Sequence, residues 1–541
     1  MFASAHVDSF ARDRLPPPDL WPELLLDNPD VTYPERLNCV VRLLDERIAQ
    51  GWGGRPCLFS LTEAWTYGEL AERVNRIASV LVGRLGMVPG NRVLLRGANT
   101  PMMVAAYLAV MKAGGIAVAT MPLLRAGELV LPIEKAEVAL ALCDHRLMEE
   151  LETARHSAPR LARIVSFGSA DAELERMMAD APPDFAACDT AQDDVCLLGF
   201  TSGTTGGPKA TMHFHRDVMA IADTYGRHVL RATAEDRFIG SPPLAFTFGL
   251  GGLVIFPLAV GASTVLLERV GPDDLLEAIA RFRATVLFTA PTAYRALLAR
   301  RAPDALRSLR RCVSAGEHLP LATFTAWTEV TGIPLMDGIG ATEMLHIFIG
   351  SPPDRIRPGS TGQPVPGFQA KIVDDEGRDC PPGTPGNLVV RGPTGCRYLD
   401  DPRQTRYVRD GWNWTGDTYV ADADGYFWYQ ARSDDMIVSA GYNIAGPEVE
   451  RALMTHPAVA ECAVIGTPDP DRGMVVTAFV VAAPGITTGD ALVRSLQDHV
   501  KAQIAPYKYP RRIEFLDELP KTPSGKLQRV ALRRRYGTAP G

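Results

Sequence analysis

The chain has 541 residues, of which 46% are hydrophobic, and a formal net charge of -7. This length allows several hydrophobic cores and about three or four domain-sized units. The mildly acidic balance leaves no broad basic surface, which argues against nucleic acid or an anionic membrane as the main partner. Nine cysteines are scattered without a C-x-x-C spacing, so neither structural zinc nor a disulfide framework is expected.

The first 20 residues mix acidic and basic side chains with three prolines and contain no continuous nonpolar run for a signal peptide. We therefore expect a cytoplasmic protein. Two more hydrophobic stretches, 102–124 and 251–267, are interrupted by glycine, proline or lysine. They predict buried helices and strands rather than membrane spans.

Short runs of nonpolar and β-branched residues alternate with helical patterns through the first two thirds of the chain. This alternation predicts a mixed α/β fold. Residues 274–282 place nonpolar side chains on one helix face, which is expected to pack on a sheet. The strands predicted in this part are 92–95, 116–119, 138–143, 285–289 and 312–315.

Residues 200–209 read Phe-Thr-Ser-Gly-Thr-Thr-Gly-Gly-Pro-Lys. Glycines let the backbone approach an anion, while hydroxyl groups and a lysine supply donors and positive charge, so this segment predicts a phosphate-binding loop. It differs from the G-x-x-x-x-G-K-[ST] pattern, because Pro208 precedes Lys209 and no hydroxyl residue follows. The alternative interpretation is an ordinary solvated turn.

After residue 359 the chain is rich in glycine and proline, as in a small β-rich subdomain. A further boundary is predicted near Asp434, which separates an N-terminal domain (1–433) from a C-terminal α+β domain (434–541). The elements predicted in this part are strands at 370–373, 387–391, 459–465 and 475–481 and helices at 448–454 and 492–500.

Five motifs follow one another in an order and spacing that resemble the adenylate-forming superfamily of acyl-CoA ligases, carrier-protein-loading adenylation domains and luciferases. The resemblance covers most of the chain. It implies an α/β fold with a large N-terminal part of several subdomains and a small mobile C-terminal domain. After the phosphate loop, the motifs are Gly340-Ala341-Thr342-Glu343, Trp414-Thr415-Gly416-Asp417, Arg432-Ser433-Asp434-Asp435 and Pro520-Lys521-Thr522-Pro523-Ser524-Gly525-Lys526.

The resemblance implies that ATP activates a carboxylate and that pyrophosphate leaves. Glu343 is implied as a ligand of Mg²⁺, for which a carboxylate oxygen is well suited, with Thr342 near the α-phosphate. A solvated glutamate is the alternative for Glu343. The residues implied to bind the departing phosphates are Thr201, Ser202, Gly203, Thr204, Thr205, Gly206 and Lys209.

The same resemblance implies which residues bind the ribose and the adenine of the nucleotide. Asp417 is implied to accept hydrogen bonds from the ribose hydroxyls, with Arg432 behind it. Ile339 stands where many relatives carry an aromatic residue, so packing on adenine would be aliphatic. The residues implied to line the adenine are Ser314, Ala315, Gly316, Glu317, Asp337, Gly338 and Ile339.

Three residues are implied to act through motion of the C-terminal domain. Lys526 resembles the family's catalytic lysine, which bridges the substrate carboxylate and the α-phosphate. Asp434 resembles the hinge residue, and Gly441 would let the pantetheine of CoA pass close to the backbone. An exposed lysine is the alternative for Lys526.

Residues 244–251 place aromatic side chains beside small ones after a Ser-Pro-Pro turn, which suits a flat ring. Thr247 stands near the position where amino-acid-activating relatives carry an aspartate, so an α-amino acid is disfavoured. Residues 337–348 resemble benzoate-type CoA ligases, with His346 implied beside the substrate carboxylate. A core histidine is the alternative. The predicted substrate-binding residues are Ala245, Phe246, Thr247, Phe248, Gly249, Gly340 and His346.

We therefore predict an AMP-forming aryl-CoA ligase that uses ATP, Mg²⁺ and coenzyme A, with 2-aminobenzoate or benzoate as the acid. The N-terminal signature and the Ala245/Thr247 pocket favour 2-aminobenzoate. One alternative is a stand-alone adenylation enzyme that loads an aryl acid onto a carrier protein, although no carrier domain follows Gly541. The other is a non-catalytic ATP-binding regulator, which the presence of Lys526, Glu343 and Asp417 disfavours. We expect a monomer or homodimer.

Overall fold

The computed structural model describes residues 2–201, 208–432, 436–439, 442–469, 473–504, 508–521 and 527–537. Its strands, in chain order, are β1 (Pro56–Phe59), β2 (Ala64–Thr66), β3 (Arg92–Arg96), β4 (Ile116–Thr120), β5 (Leu140–Asp144), β6 (Arg163–Phe167), β7 (Val195–Thr201), β8 (Lys209–Phe214), β9 (Arg237–Gly240), β10 (Ser263–Val265), β11 (Val286–Thr289), β12 (Arg311–Ser314), β13 (Leu335–Gly340), β14 (Ile347–Gly350), β15 (Gln363–Pro364), β16 (Gln369–Val373), β17 (Gly386–Arg391), β18 (Val408–Arg409), β19 (Trp412–Ala421), β20 (Phe427–Arg432), β21 (Met436–Ser439), β22 (Tyr442–Ala445), β23 (Val459–Asp469), β24 (Gly473–Ala482) and β25 (Arg512–Phe515).

The α-helices are α1 (Phe10–Asp13), α2 (Glu46–Ala49), α3 (Tyr67–Gly83), α4 (Pro101–Lys112), α5 (Ala126–Lys135), α6 (Met148–Ser157), α7 (Glu173–Ala179), α8 (His215–Ile221), α9 (Thr247–Leu250), α10 (Phe256–Val260), α11 (Pro272–Phe282), α12 (Pro291–Ala299), α13 (Leu321–Thr331), α14 (Gln404–Tyr407), α15 (Gly446–Met454), α16 (Asp490–Gln503) and α17 (Arg529–Tyr536). Three π-helical segments, Val41–Asp45, Ala222–Leu230 and Gly251–Ile255, adjoin α2, α8 and α10.

Two sheets form the core of the first part of the chain. One has six strands in the order β6-β5-β3-β4-β7-β8, parallel except for the antiparallel pair β7 and β8. The other has nine strands in the order β15-β14-β13-β12-β11-β9-β10-β1-β2, and its central strands are parallel. The predicted strands of this region are confirmed to within about two residues, as is the predicted mixed α/β class.

Helices cover these sheets with the faces that the sequence pattern predicts. Helix α11 has Pro272 in its first turn and buries Leu275, Leu276 and Ile279 in the core of the nine-stranded sheet. Helix α4 begins where the Thr100 hydroxyl accepts a hydrogen bond from the Met103 amide at 3.1 Å. The hydrophobic stretches 102–124 and 251–267 contain most of α4 and all of β4, α10 and β10, whose residues are mostly buried.

Residues 369–432 form a smaller sheet of five strands in the order β16-β17-β19-β18, with β20 also paired to β19. The C-terminal residues form another five-stranded sheet in the order β22-β21-β24-β23, with β25 paired to β24. Helices α15 and α16 cover that sheet, where Val449 and Leu453 share a core with Leu496 and Val500. The predicted β-rich and α+β regions are both present.

The chain divides into two compact units: residues 1–370 with 390–413, and residues 371–389 with 414–541. The boundary at Asp434 remains a prediction, because that residue lies outside the described part of the chain. No helix among the described residues is both long and apolar enough to cross a membrane.

Candidate active site

Strands β12 and β13 run parallel, with Ser314 opposite Asp337. Their carboxyl ends therefore bring the predicted adenine-lining segments 314–317 and 337–339 together. Glu317 accepts a hydrogen bond from the Thr292 hydroxyl at 2.7 Å. Ile339 faces Ile349 on the antiparallel strand β14.

Two polar atoms on these strands, Oγ of Ser314 and Oδ1 of Asp337, are buried and make no hydrogen bond to another described residue, and the same holds for Oγ1 of Thr201 at the end of β7. Burial raises the pKa of Asp337 to about 8, although the Gly338 backbone lowers it. Unpartnered buried polar atoms are costly in a folded protein. They fit a polar ligand such as ATP better than a solvent-free core.

The predicted phosphate loop connects two paired strands. Thr201 ends β7 and faces Lys209, which begins β8. A Cβ atom at Gly199 would lie 2.7 Å from Cγ2 of Thr342, so glycine allows β7 to approach the Thr-Glu motif closely. The predicted residues Ser202, Gly203, Thr204, Thr205 and Gly206 lie outside the described residues.

A tyrosine connects the lysine of this loop to the predicted metal ligand. The ammonium of Lys209 donates to the phenol oxygen of Tyr398 at 2.7 Å, and that phenol donates in turn to Oε1 of Glu343. The direct distance from Lys209 Nζ to Glu343 Oε1 is 3.5 Å. Glu343 is 6% exposed and Tyr398 1% exposed, while the Lys209 side chain is 20% exposed, so the three polar groups meet in a largely buried site.

The neighbouring Thr342 is fixed through its backbone. His213 Nε2 donates to the Thr342 carbonyl at 2.7 Å, and His213 Nδ1 lies 3.6 Å from Oδ2 of Asp217. Asp217 also pairs with Arg397, and all three side chains are fully buried. Burial alone would raise the pKa of Asp217, but Arg397 and His213 lower it below its usual value.

The turn after Glu343 leads from the polar network to a nonpolar one. Residues Thr342–Met344 form one 3₁₀ turn, and Leu345 follows with φ 69° and no exposed surface. His346 comes next, and its ring contacts four aromatic side chains at centroid distances of 4.6–6.4 Å: Phe256, Tyr225, Phe248 and Phe288.

The His346 ring is 3% exposed, and its nitrogens form no hydrogen bond of ordinary geometry with another described residue. Burial lowers the pKa of His346 to about 3, although the nearby Phe248 backbone raises it, so the imidazole is neutral at ordinary pH. A core histidine normally has a well-formed hydrogen-bond partner. The weak pairing of these nitrogens therefore favours a ligand-binding interpretation over a purely structural one.

Glycines in the adjoining π-helical segment leave room for this cluster. A Cβ at Gly251 would lie 2.3 Å from the His346 ring, and one at Gly252 would lie 2.6 Å from the Phe288 ring. π-Helical segments inside helices are often found at functional sites. Here the segment lets two rings pack directly against the helix backbone.

The predicted acyl segment begins at a turn fixed by Asn99, which donates to the Pro242 carbonyl at 3.0 Å and accepts from the Leu244 amide at 2.9 Å. Phe248 lies in the His346 cluster, 5.7 Å from that ring. Phe246, by contrast, is 36% exposed. Ala245 precedes Phe246 on the turn, while Thr247 and Gly249 flank Phe248 on α9.

Asp417 and Arg432, predicted to bind ribose, belong to the second compact unit. They face each other on the antiparallel strands β19 and β20. The Asp417 amide donates to the Thr415 hydroxyl at 3.1 Å, and that hydroxyl donates to the Leu388 carbonyl at 3.2 Å. The backbone register places the two residues opposite each other, and their role in binding ribose stays a prediction.

The family is decided by two matches. The AMP-binding enzyme model matches residues 45–397, and the model of the AMP-binding enzyme C-terminal domain matches residues 448–526. The chain belongs to the family of AMP-binding enzymes. The resemblance inferred from its five motifs is thereby confirmed.

Relatives of this AMP-binding enzyme include CoA ligases. A benzoate–CoA ligase from Thauera aromatica is 37% identical over 517 residues, which are 93% of this chain and 97% of that protein. The crystal structure of an anthranilate CoA ligase with anthranoyl-AMP is 37% identical and has a TM-score of 0.89, covering 94% of this chain and 99% of that one. The ATP-bound MatB from Rhodopseudomonas palustris is 30% identical with a TM-score of 0.85, covering 92% and 99%.

Three further predicted residues of the AMP-binding enzyme, Asp434, Gly441 and Lys526, lie outside the described residues. The structure in turn adds residues that the motifs did not predict. Tyr398 and Arg397 lie beyond any local motif, and Phe256 and Phe288 are separated from His346 by more than 50 positions. One usable signal in the sequence was the close spacing of two histidines, His213 on β8 and His215 at the start of α8.

Two of the scattered cysteines also come together. The ligand atoms of Cys39, Cys196 and His215 lie within 4.8 Å of one another, and all three residues are buried. His215 Nδ1 already accepts the Cys39 amide at 3.2 Å. The cluster is therefore a hydrogen-bonded core group in this AMP-binding enzyme.

Proposed function

We propose that this protein is an AMP-forming aryl-acid CoA ligase. In the first half-reaction the aryl carboxylate attacks the α-phosphorus of ATP, which gives an aryl adenylate and pyrophosphate. In the second, the thiol of CoA attacks the acyl carbon, which gives an aryl-CoA thioester and AMP. The benzoate and anthranilate CoA ligases among its relatives support this activity.

One observation carries the proposal: a single turn joins a phosphate-binding network to an aromatic pocket. Glu343 lies in the polar network with Lys209 and Tyr398. His346, three residues later, lies in the aromatic cluster. A carboxylate attached to a flat ring can thus meet the α-phosphate of ATP at this turn.

Within this function, Lys209 and Thr201 would bind the departing phosphates, and Glu343 would ligate Mg²⁺. Glu343 fits the ion because it offers a carboxylate oxygen at a buried position. Bound Mg²⁺ neutralises charge on the phosphates. The Thr342 carbonyl, held by His213, keeps the turn in place.

The acid that fits best is a benzoate, with 2-aminobenzoate and benzoate foremost. The cluster around His346 is nonpolar and aromatic, which suits a ring. Thr247 provides no carboxylate for the ammonium of an α-amino acid. The second candidate function is loading of an aryl acid onto a carrier protein, which uses the same adenylate.

A panel of acids tests the proposal. Benzoate, 2-aminobenzoate, acetate and a long fatty acid are incubated with ATP and Mg²⁺, with and without CoA, and AMP and thioester are measured. We expect thioester formation from the two aryl acids alone. Preference for acetate or the fatty acid would refute the aryl assignment, and adenylate without CoA-dependent release would favour carrier loading.

A pair of phenylalanine variants tests the pocket. Phe248→Ala should reduce kcat/KM for benzoates by an amount equivalent to about 1–3 kcal/mol and should admit bicyclic acids. Phe246→Ala should have the smaller effect, because that predicted substrate-binding side chain is already 36% exposed. The pocket assignment is wrong if Phe248→Ala leaves the ranking of acids unchanged.

Lys526→Ala tests the two half-reactions. We expect loss of adenylate formation, while thioester formation from supplied aryl-AMP stays largely intact, because the lysine acts only on the α-phosphate and carboxylate. Single-turnover assays measure each step separately. Equal losses in both steps would contradict the role of Lys526.

A further inference from the structure

Residues 397–399 add a short extended segment to the edge of β8. Tyr398 forms a bridge with Thr211, the Met212 amide donates to the Arg397 carbonyl at 2.8 Å, and the Leu399 amide donates to the Ala210 carbonyl at 2.9 Å. Successive side chains of an extended segment point to opposite faces. Arg397 accordingly contacts Asp217, while Tyr398 contacts Lys209 and Glu343.

The Tyr398 phenol lies between two opposite charges. It accepts a hydrogen bond from Lys209, donates one to Glu343, and places its ring 4.7 Å from the Lys209 ammonium. The phenol O–H is thereby committed as a donor to Glu343. The ring is fixed by an edge contact with Tyr407 at 5.7 Å.

Lys209 and Glu343 form an ion pair whose nearest atoms are 3.5 Å apart, and the Tyr398 hydroxyl takes the hydrogen bond that each would otherwise make to the other. The burial of Glu343 strengthens the attraction between the two charges. A direct hydrogen bond between them would bring the charges closer and strengthen their mutual neutralisation. Each group would then be less available to its own ligand.

We propose that Tyr398 is a positioning residue that keeps Lys209 and Glu343 at this 3.5 Å separation and prevents a closer, directly hydrogen-bonded pair, so that one remains available to phosphate and the other to Mg²⁺. This inference rests on the proposed function, because it assumes that Lys209 and Glu343 bind the nucleotide and its metal. Tyr398 itself touches neither the acid nor the reacting atoms in this assignment. Its effect is on binding of ATP with Mg²⁺.

Tyr398→Phe is the direct test, since it keeps the ring and removes only the hydroxyl. ATP binding is measured by calorimetry over a range of Mg²⁺ concentrations, without acid or CoA, together with thermal unfolding. We expect ATP to bind about tenfold more weakly and the Mg²⁺ concentration for half-maximal binding to rise about tenfold, as for loss of a hydrogen bond to a charged group. An unchanged affinity and an unchanged Mg²⁺ requirement would overturn the proposal.

Tyr33→Phe is the matched control, because the Tyr33 phenol also donates to a carboxylate, that of Asp223 at 2.8 Å, outside the proposed site. This variant should bind ATP as the wild type does. A purely structural role for Tyr398 would lower the unfolding temperature of Tyr398→Phe and leave its Mg²⁺ dependence as in the control. That result would also overturn the proposal.

A Lys209→Gln background provides the second measurement, and it applies even where Tyr398→Phe alone gives little folded protein. With no ammonium to pair with Glu343, removal of the Tyr398 hydroxyl should change the Mg²⁺ requirement less than twofold. An undiminished tenfold change would refute the separating role. Failure of the wild type to form any aryl adenylate would refute the proposed function alone, because ATP binding needs no acid.

Discussion

The polar atoms on the two sides of the Thr342–His346 turn have opposite surroundings. On the phosphate side, Lys209, Tyr398 and Glu343 are hydrogen-bonded to one another. On the acyl side, the His346 ring is surrounded by aromatic side chains, and its nitrogens form no hydrogen bond of ordinary geometry within the described part of the chain. In the proposed function, a charged ligand would thus be met by groups that remain charged, and a flat ring by side chains that remain neutral.

Burial keeps both His346 and Tyr398 neutral, but it does so by shifting their pKa values in opposite directions. It lowers the pKa of His346 to about 3, because the charged imidazolium would be desolvated. Burial, together with the nearby carboxylate, raises the pKa of Tyr398. Each group is fixed in its neutral form, yet only the phenol is a committed hydrogen-bond donor. The two sides of the turn therefore differ in the hydrogen-bond partners of their polar groups and not in how deeply those groups are buried.

Removing the charge on the phosphate side should have the largest effect. Glu343→Gln keeps an oxygen that accepts from Tyr398 but no longer offers a carboxylate to Mg²⁺. We expect adenylate formation to fall by about 100- to 1,000-fold, typical of a lost electrostatic contact to the transition state. Single-turnover adenylation measures it.

Glu329→Gln, on an exposed face of α13, is the control for this change and should be neutral. Urea unfolding should give nearly equal stabilities for all three proteins. If Glu343→Gln forms adenylate at the wild-type rate, the carboxylate does not serve the metal.

A substitution that fills the space beside His346 should disrupt the packing of the aromatic cluster on the acyl side. The Cβ of Gly251→Ala would lie 2.3 Å from the imidazole, so the ring or the helix must move. We expect a loss of about 3 kcal/mol in the free energy of unfolding, at the upper end for overpacking. Chemical denaturation measures it.

Gly83→Ala is the matched control, because a Cβ there has no atom within 4 Å and the residue is exposed at the end of α3. Its stability should stay within about 0.5 kcal/mol of the wild type. Equal stabilities for the two variants would mean that the aromatic cluster is loosely packed.

The pH dependence of stability sharpens the contrast further. His346 must be neutral when folded, with a pKa of about 3, but takes up a proton on unfolding below its ordinary pKa of 6.5. The contribution of neutral His346 to the free energy of unfolding is therefore complete above pH 6.5 and is lost as the pH falls toward 3. Between pH 7.5 and 5 the loss is about 2 kcal/mol.

The measurement compares the wild type with His346→Phe by urea unfolding at both pH values. The variant should lose about 2 kcal/mol less than the wild type over this interval, whatever its absolute stability. Parallel pH profiles would show that the imidazole is solvated in the folded protein.

Local patterns predicted the elements of this fold well. Hydrophobic periodicity indicated α11 and five strands of the two large sheets, β3, β4, β5, β11 and β12, because a helix face or a buried strand is encoded in neighbouring residues. The hairpin partners Asp417 and Arg432 were also accessible, since each belongs to a recognisable motif. The motifs indicated Lys209 and Glu343 individually.

The contacts between these elements were not predictable in the same way. Tyr398 reaches Glu343 across 55 positions, and Phe288 reaches His346 across 58. Such contacts depend on sheet order and on crossovers, which no local period records. The same holds for the cluster of Cys39 with Cys196, and for the π-helical segment that makes Gly251 critical.

Leu345, between the two sides of the turn, has one more consequence. A buried, branched side chain at φ 69° leaves the backbone few ways to relax. A displacement of His346 by an entering acid is therefore passed along the chain to Glu343 instead of being absorbed between them. We expect acid and nucleotide to bind cooperatively, each raising the affinity of the other by the same factor, as thermodynamic linkage requires.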